Sequence, residues 1–523
     1  PFPGIAYAPS DAATEEALCR LDFHGTRTVL CPRVDGTFPA VELHVRAPVP
    51  TGVPDAGGQC VGVDALSRVA RLEPGVSCAF PGAVLGAYHL TRILGAHGLA
   101  PVAVARTLDT REFEPVAAGG QASSVPGSLQ NLLWRRLQES NFGRTGSHAV
   151  DGTLFGALVA LPGGFERYSA LNVSASDGAL ARLRFFATPE AARVLDAREV
   201  GILAPRDLSM AAPILQQMRD VSDLVVLDHL LQQQDRFGNL YSQESWAWID
   251  AQGRYAIAAM PRGPSGEVIA RKPHPEAVPL RRMVILEHAC ARPGNPSAFT
   301  LDDIARLRHM SPETYARLRY LAATFRSGLA QRWFADETLL DTQPALGAEA
   351  GAAGLGRRVV AAAEVLERRC RSGELLLDLD VSAHLARRNL PHRIGGLCDG
   401  IHAPVAEGME HALRAPLPID SALALHAAVL APAQSAIGSA GDGESAQGTA
   451  SSGRTCRVVV RSARVRAAPD AGAEVVAGVT KDMRVALEGP AAKGWLRVRV
   501  EGASESAYVS NRVVEKACRS PGG

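Results

Sequence analysis

Lysine is almost missing from this chain. Only Lys272, Lys481, Lys493 and Lys516 occur in 523 residues, so nearly all basic charge rests on arginine. Any role before residue 272 that needs a cation must therefore fall to a guanidinium or a histidine. Net charge is small too: 55 basic against 54 acidic residues leave +1, which excludes a globally basic nucleic-acid binder. No uninterrupted apolar run approaches the roughly 18 residues of a transmembrane helix, so no membrane span is expected. CxxC pairs are missing although there are nine cysteines. Thiols in that number without a metal-binding pattern predict an oxidising compartment, secreted or periplasmic.

Two weaker signals also fall away. His392, Cys398, Asp399 and His402 lie close together, but their spacing fits no standard zinc site. The glycines between Gly438 and Gly448 have no following Lys-Ser/Thr pair, so they form no phosphate loop.

What is present is enough for two or three folded units, with 46% hydrophobic and 21% charged residues. Residues 431–455 are rich in Gly, Ser and Ala, contain no aromatic, and predict a flexible linker. Beyond it, residues 456–518 alternate short β-branched runs with Pro469-Asp470, Gly489-Pro490 and Gly502, the pattern of a small all-β barrel. Cys456 and Cys518 bracket this unit, whose two ends would bring them within reach of a disulfide. The tail resembles the bacterial SH3-like domain family through Val465-Arg466-Ala467-Ala468-Pro469, Gly494-Trp495-Leu496-Arg497-Val498 and Ala507-Tyr508-Val509. That resemblance implies binding of a peptide or a cell-surface polymer. A plain spacer is the alternative.

The first 430 residues mix periods of two and of 3.6. Strand-like runs flank Val34-Asp35-Gly36-Thr37, and Gly82 to Gly95 predicts a helix with Ala83, Ala87, Leu90 and Leu94 on one face. Pro101 to Ala105 follows as a strand, Leu129 to Leu137 as a helix, and Leu215 to Gln234 as a strong helix. Trp246–Asp250 and Tyr255–Ala259 predict a hairpin around Ala251-Gln252-Gly253-Arg254. Leu301 to Cys370 is helical apart from a loop near Gly347–Gly356. The pattern predicts an α+β fold with a small β-rich lobe at 1–126 and a larger helical lobe at 127–430, the layout of a protein kinase.

The segment Val221 to Asp250, VSDLVVLDHLLQQQDRFGNLYSQESWAWID, carries the chemistry. A helix ends at Asp235-Arg236, a loop carries Asn239, and a strand delivers Asp250 before a turn. Phosphoryl transfer divides its labour in this way: one acid handles the attacking hydroxyl, and a second acid with an amide oxygen holds the metal. Asp228 falls on the apolar stripe of its helix, so it needs a buried partner and reads as structural. His89 reads as packed rather than reactive.

At these residues the sequence resembles the secretory-pathway kinases: the Golgi casein kinase, its xylose-kinase relative and the four-jointed group. LDHLLQQQDRFGN followed by Ile249-Asp250 carries the match, and Gly86–Leu94 with Ala100–Ala103 looks like the family's small-lobe helix and next strand. The resemblance implies ATP with Mg²⁺ or Mn²⁺, a protein or glycan hydroxyl as acceptor, Asp235 as catalytic acid/base, and Asp250 with Asn239 as metal ligands. It also implies a disulfide between Cys290 and Cys370. Departures accompany it. The family's small-lobe Lys has no counterpart, and Arg46, with His44 beside it, is the expected substitute on the phosphates. Val84 stands where the helix should carry Glu. Two outcomes stay open: an active kinase with Arg46 substituting, or a pseudokinase that binds nucleotide and acts as a scaffold anchored by its SH3-like domain.

Overall fold

The computed structural model describes residues 1–138, 153–387 and 398, apart from 26–27, 34–35, 37, 46–59, 61–66, 77, 97–98, 162–164, 175–178, 263–266, 292–297 and 343–348. Beyond residue 398 it describes the strands between 454 and 510. The chain divides into two units, Pro1–Gln434 and Ser435–Gly523. The expected linker at 431–455 lies almost wholly outside the described residues, as do Cys518 and the side chain of Cys456.

The first unit opens with helix α1 (Pro9–Arg20) and strands β1 (Thr28–Pro32), β2 (Val41–Val45) and β3 (Ser67–Pro74). Helix α2 (Pro81–Ile93), strand β4 (Ala103–Leu108), helices α3 (Thr110–Ser123) and α4 (Leu129–Gln138), and strand β5 (Leu154–Ala160) follow. The five strands form one antiparallel sheet in the order β1-β2-β3-β5-β4. Strand alternation sets its two faces. Val41, Leu43, Ala70 and Leu72 point into a hydrophobic core, while Glu42, Arg71 and Glu73 stand on the other face. Arg71 and Glu73 are nevertheless buried.

Helix α2 is buried along its whole length, as expected of a helix that is apolar on nearly every side. Ala83, Ala87, Leu90 and Ile93 join one core cluster, and Val84, Leu85 and Tyr88 join the other. One helix therefore glues the sheet's core to the larger core that follows. Its His89 packs among Tyr7, Tyr88 and Trp333, and burial lowers its pKa to about 3.

The larger core continues through β6 (Phe165–Arg167), α5 (Ala179–Ala187), α6 (Pro189–Leu195), α7 (Val200–Leu203) and the 24-residue helix α8 (Leu208–Leu231). Asp207 caps α8 by accepting from the Ser209 amide. Strands β7 (Leu240–Ile249), β8 (Tyr255–Ala259) and β9 (Val278–Ile285) come next. Antiparallel partners surround β7: β6 pairs with its first half, β8 with its second half, and β9 runs beside it from Leu240 to Ala247. Helices α9 (Leu301–Ile304), α10 (Pro312–Arg326), α11 (Leu329–Thr338), α12 (Ala352–Arg371) and α13 (Val381–Arg387) complete the unit.

Three disulfides staple this unit: Cys31–Cys60, Cys78–Cys290 and Cys370–Cys398, with Cα separations of 5.6, 4.8 and 5.9 Å. The expected bridge between Cys290 and Cys370 is not formed. Cys290 lies in a β-bridge with Ala79, which puts Cys78 at its side, and Cys370 at the end of α12 meets Cys398. Cys19 is free and exposed. No helix among the described residues is long and apolar enough to cross a membrane.

The second unit contains β10 (Arg454–Arg457), β11 (Ser462–Arg466), β12 (Val475–Thr480), β13 (Arg484–Pro490), β14 (Trp495–Val500) and β15 (Ala507–Ser510). Together they make one antiparallel sheet in the order β10-β13-β14-β15-β11-β12. The expected closed barrel is not seen among the described residues, because β10 and β12 remain the two edges. Val485, Leu496, Val498 and Val509 form its buried side, with Arg497 exposed between two of them.

Candidate functional site

The long helix α8 stops at Gln232, a non-glycine residue in the left-handed region at φ 56°. That backbone costs on the order of 1–3 kcal/mol, and such strain tends to be kept where a loop must be aimed. The loop it launches is held from both sides. The Gln233 amide donates to the Asp228 carbonyl, and the Gln233 side-chain oxygen accepts from the Asp235 amide at 2.9 Å. The Asn239 side chain donates to the Asp235 carbonyl at 3.0 Å.

Beneath this loop lies a fully buried ion pair. Arg236 donates from Nε and Nη2 to the two Asp228 oxygens at 2.7 and 3.1 Å. Asp228 therefore has the partner its place on an apolar stripe demands. The second Arg236 arm reaches the Glu287 carbonyl at 3.1 Å, which also accepts from the Gln233 side chain at 3.2 Å. His288 faces the same guanidinium, and burial holds its pKa well below the ordinary value.

Glu287 enters because β9 runs antiparallel to β7. The register pairs Leu240 with Ile285, so the residues after β9 return beside the residues before β7. The Glu287 carboxylate accepts from Arg33 at 2.9 Å and lies 3.7 Å from Arg71. Arg71, on the third strand of the sheet, also pairs with Glu73 two residues on and donates to the Leu286 carbonyl at 3.1 Å. Residues from β3, the β1–β2 turn, the α8–β7 loop and the segment after β9 thus meet around one acid.

The Asp235 carboxylate has no hydrogen bond or ion pair among the described residues. Burial first, then the charge of Glu287, pushes its pKa above the usual carboxylate range, and Arg236 opposes them. Burial also raises Glu287, but Arg71 and Arg33 outweigh it and hold the group below its ordinary value. Burial leaves Glu73 raised, despite Arg71. An acid with a raised pKa and no carboxylate partner among the described residues thus stands beside a second acid whose charged form two guanidiniums favour.

The expected second acid is elsewhere. Asp250 sits in the β7–β8 turn, and the ten residues of β7 at about 3.3 Å each place it roughly 30 Å from the start of that strand. There it accepts from the Gln252 and Arg254 amides and from the Arg254 guanidinium, all at 2.9 Å. These bonds, that from the Arg254 amide foremost, hold its pKa low. Asp250 is a turn-former, and Glu287 is the acid that the antiparallel return brings to Asp235. Asn239 does lie in the cluster. Arg46 lies outside the described residues; His44 is buried on β2, and neither ring nitrogen has a hydrogen bond among the described residues. Its nearest charged partner is Glu42, at 3.5 Å.

As a cation site, the cluster offers two carboxylates and an amide, all hard oxygen donors. Among the described residues no group of three or more His, Cys, Asp or Glu converges on one point.

The sequence did contain a signal for Arg71 and Glu73. Charged residues at alternate positions, interleaved with Ala70 and Leu72, mark a strand with one apolar face and one ion-paired face. No protein-family model matches the chain, and no curated protein matches it either.

Proposed function

We propose that the first unit is a kinase-fold protein of two lobes. Its cleft holds ATP with Mg²⁺ or Mn²⁺ and carries the γ-phosphoryl to a hydroxyl of a protein or glycan. The observation that carries this reading is the meeting of Asp235 and Glu287 opposite Arg71. Kinases place their phosphate cation on the third strand of the small-lobe sheet, a metal-binding acid after an antiparallel return, and a catalytic acid in the loop before it. Arg71 has the first position, Glu287 the second and Asp235 the third. The sheet order β1-β2-β3-β5-β4, with a buried helix after β3, supports the small-lobe assignment.

The missing lysine and helix glutamate thereby gain local substitutes. Arg71 provides the charge, and Glu73 on the same strand orients it in place of a residue from α2. In the transfer, Asp235 takes the proton of the attacking hydroxyl as its oxygen bonds to the γ-phosphorus, and the bond to the ADP oxygen breaks. A bound Mg²⁺ or Mn²⁺ supplies neutralisation of the phosphate charge. The three disulfides favour an extracytoplasmic site of action. The second unit, read as SH3-like, supplies attachment to a peptide or surface polymer.

One observation favours the pseudokinase reading: Glu287 is already ion-paired in the protein alone. A single assay separates the readings. Protein incubated with Mn²⁺ and labelled ATP should phosphorylate itself or an added acceptor, and Asp235→Asn should abolish the signal. Nucleotide-dependent thermal stabilisation without any transfer would leave the pseudokinase. No stabilisation and no transfer would end the nucleotide reading.

A further inference from the structure

The ion pair between Arg33 and Glu287 joins two segments far apart in sequence. Arg33 leaves the end of β1 at the β1–β2 turn, and Glu287 follows β9. The Arg33 Nη2 lies 2.9 Å from the Glu287 Oε1, the same oxygen that Arg71 approaches at 3.7 Å. Both side chains are mostly shielded, at 12% and 17% exposure, so the contact is not a loose surface pair.

The backbone under Arg33 is fixed. Its amide donates to the Ala40 carbonyl at 2.9 Å, and its carbonyl accepts from the Gln130 side chain at 3.2 Å. Two residues earlier, Cys31 is tied to Cys60. The side chain, by contrast, is folded against its own turn in a space that exists only because residue 36 is glycine. A Cβ at Gly36 would lie 2.4 Å from the Arg33 Cζ and 2.5 Å from its Nε. The atoms in the way are the far end of a flexible side chain, so a methyl group there would displace the guanidinium.

We propose that Arg33 is a self-inhibitory plug: its guanidinium occupies the face of Glu287 that a divalent cation carrying nucleotide phosphates must take, and loading requires it to swing aside. This regulation rests on the nucleotide reading of the same site. While Arg33 is in place, Glu287 is neutralised and the cleft has little attraction for a cation. Once it turns out, Glu287 and Asp235 present two acids together.

Titration calorimetry with Mn²⁺·ATP on the full chain tests this in three proteins: wild type, Arg33→Ala and Gly36→Ala. Circular dichroism and melting curves confirm that each variant is folded. The expected result is at least tenfold tighter Mn²⁺·ATP binding in both variants than in wild type. The two variants act by different routes, one deleting the guanidinium and the other displacing it. Equal affinities in all three overturn the plug and leave the nucleotide reading intact. Weaker binding in Arg33→Ala overturns it too, because Arg33 would then be a phosphate ligand. Absence of binding in all three removes the nucleotide reading and the plug with it.

Discussion

Arg236 grips Asp228 eight residues earlier through two hydrogen bonds, with both side chains sealed from solvent. The pair fastens the end of α8 to the loop that carries Asp235. Breaking it from one side leaves a buried charge without a partner, which costs about 3–5 kcal/mol. Asp228→Ala is therefore expected to lower the free energy of unfolding, read from urea denaturation, by that amount. The double variant Asp228→Leu/Arg236→Met should recover most of the loss, since apolar replacement of a whole buried pair is often neutral. Denaturation curves of the single and double variants check both statements. The double variant should still lose any nucleotide-induced stabilisation, because the loop is no longer held.

The assignment of the second acid can be tested directly. Asp250→Ala removes bonds confined to its own hairpin turn and should leave nucleotide binding and any transfer rate unchanged. Glu287→Gln removes a charge beside Asp235 and should cut a transfer rate by about 10²–10³, the usual size of a lost electrostatic contributor. Parallel assays of the two variants, with thermal shift as a second readout, decide between them. A loss with Asp250→Ala and none with Glu287→Gln would reverse the assignment.

Stability should depend on pH through Asp235 with a definite sign. An acid whose pKa is raised by folding binds more protons in the folded state than in the unfolded one. Stability is then lost as pH climbs from the unfolded pKa, near 3.9, through the folded one. Asp235→Asn removes this loss. The variant should be more stable than wild type at pH 7, with the difference fading below about pH 4. Melting temperatures of both proteins between pH 3.5 and 8 provide the check.

The Cys78–Cys290 bridge closes a loop with a sequence separation of 212 residues. Around it, the Phe80 amide donates to Ala289 and the Gln234 amide to Cys290, so one short segment joins the start of α2 to the Asp235 loop. Cys78→Ser with Cys290→Ser should cost about 2–5 kcal/mol through the freed unfolded chain. The same change should loosen the placement of Glu287, so nucleotide stabilisation should fall further than the melting temperature alone explains. Differential scanning with and without Mn²⁺·ATP measures both effects.

Much of the scaffold could be read from local pattern. The α2 stripe of Ala83, Ala87 and Leu90 and the hairpin turn at Asp250–Arg254 appear where periodicity and turn residues put them, whereas α8 runs Leu208–Leu231 instead of Leu215 to Gln234, because left-handed Gln232 stops it early. Asp228 was also legible, since an acid on an apolar stripe must be paired. Glu287 was not. Its arrival depends on β9 pairing with β7 across an intervening segment of about twenty-eight residues, and nothing local announces a nonlocal register. The strong hairpin signal around Gly253 points instead to the acid nearer in sequence. Cysteine spacing likewise could not choose partners, because Cys290 finds Cys78 through a contact between distant segments.

The order of synthesis adds a last consequence of the long bridge. Cys19, Cys31, Cys60 and Cys78 all leave the ribosome before any later thiol, and Cys60 is the nearest neighbour of Cys78 along the chain. At about 5–20 residues per second, Cys78 waits roughly 10–40 s for Cys290. During that interval a mispaired Cys60–Cys78 loop is within easy reach. Material made in a reducing cytoplasm should therefore arrive without the Cys78–Cys290 bridge.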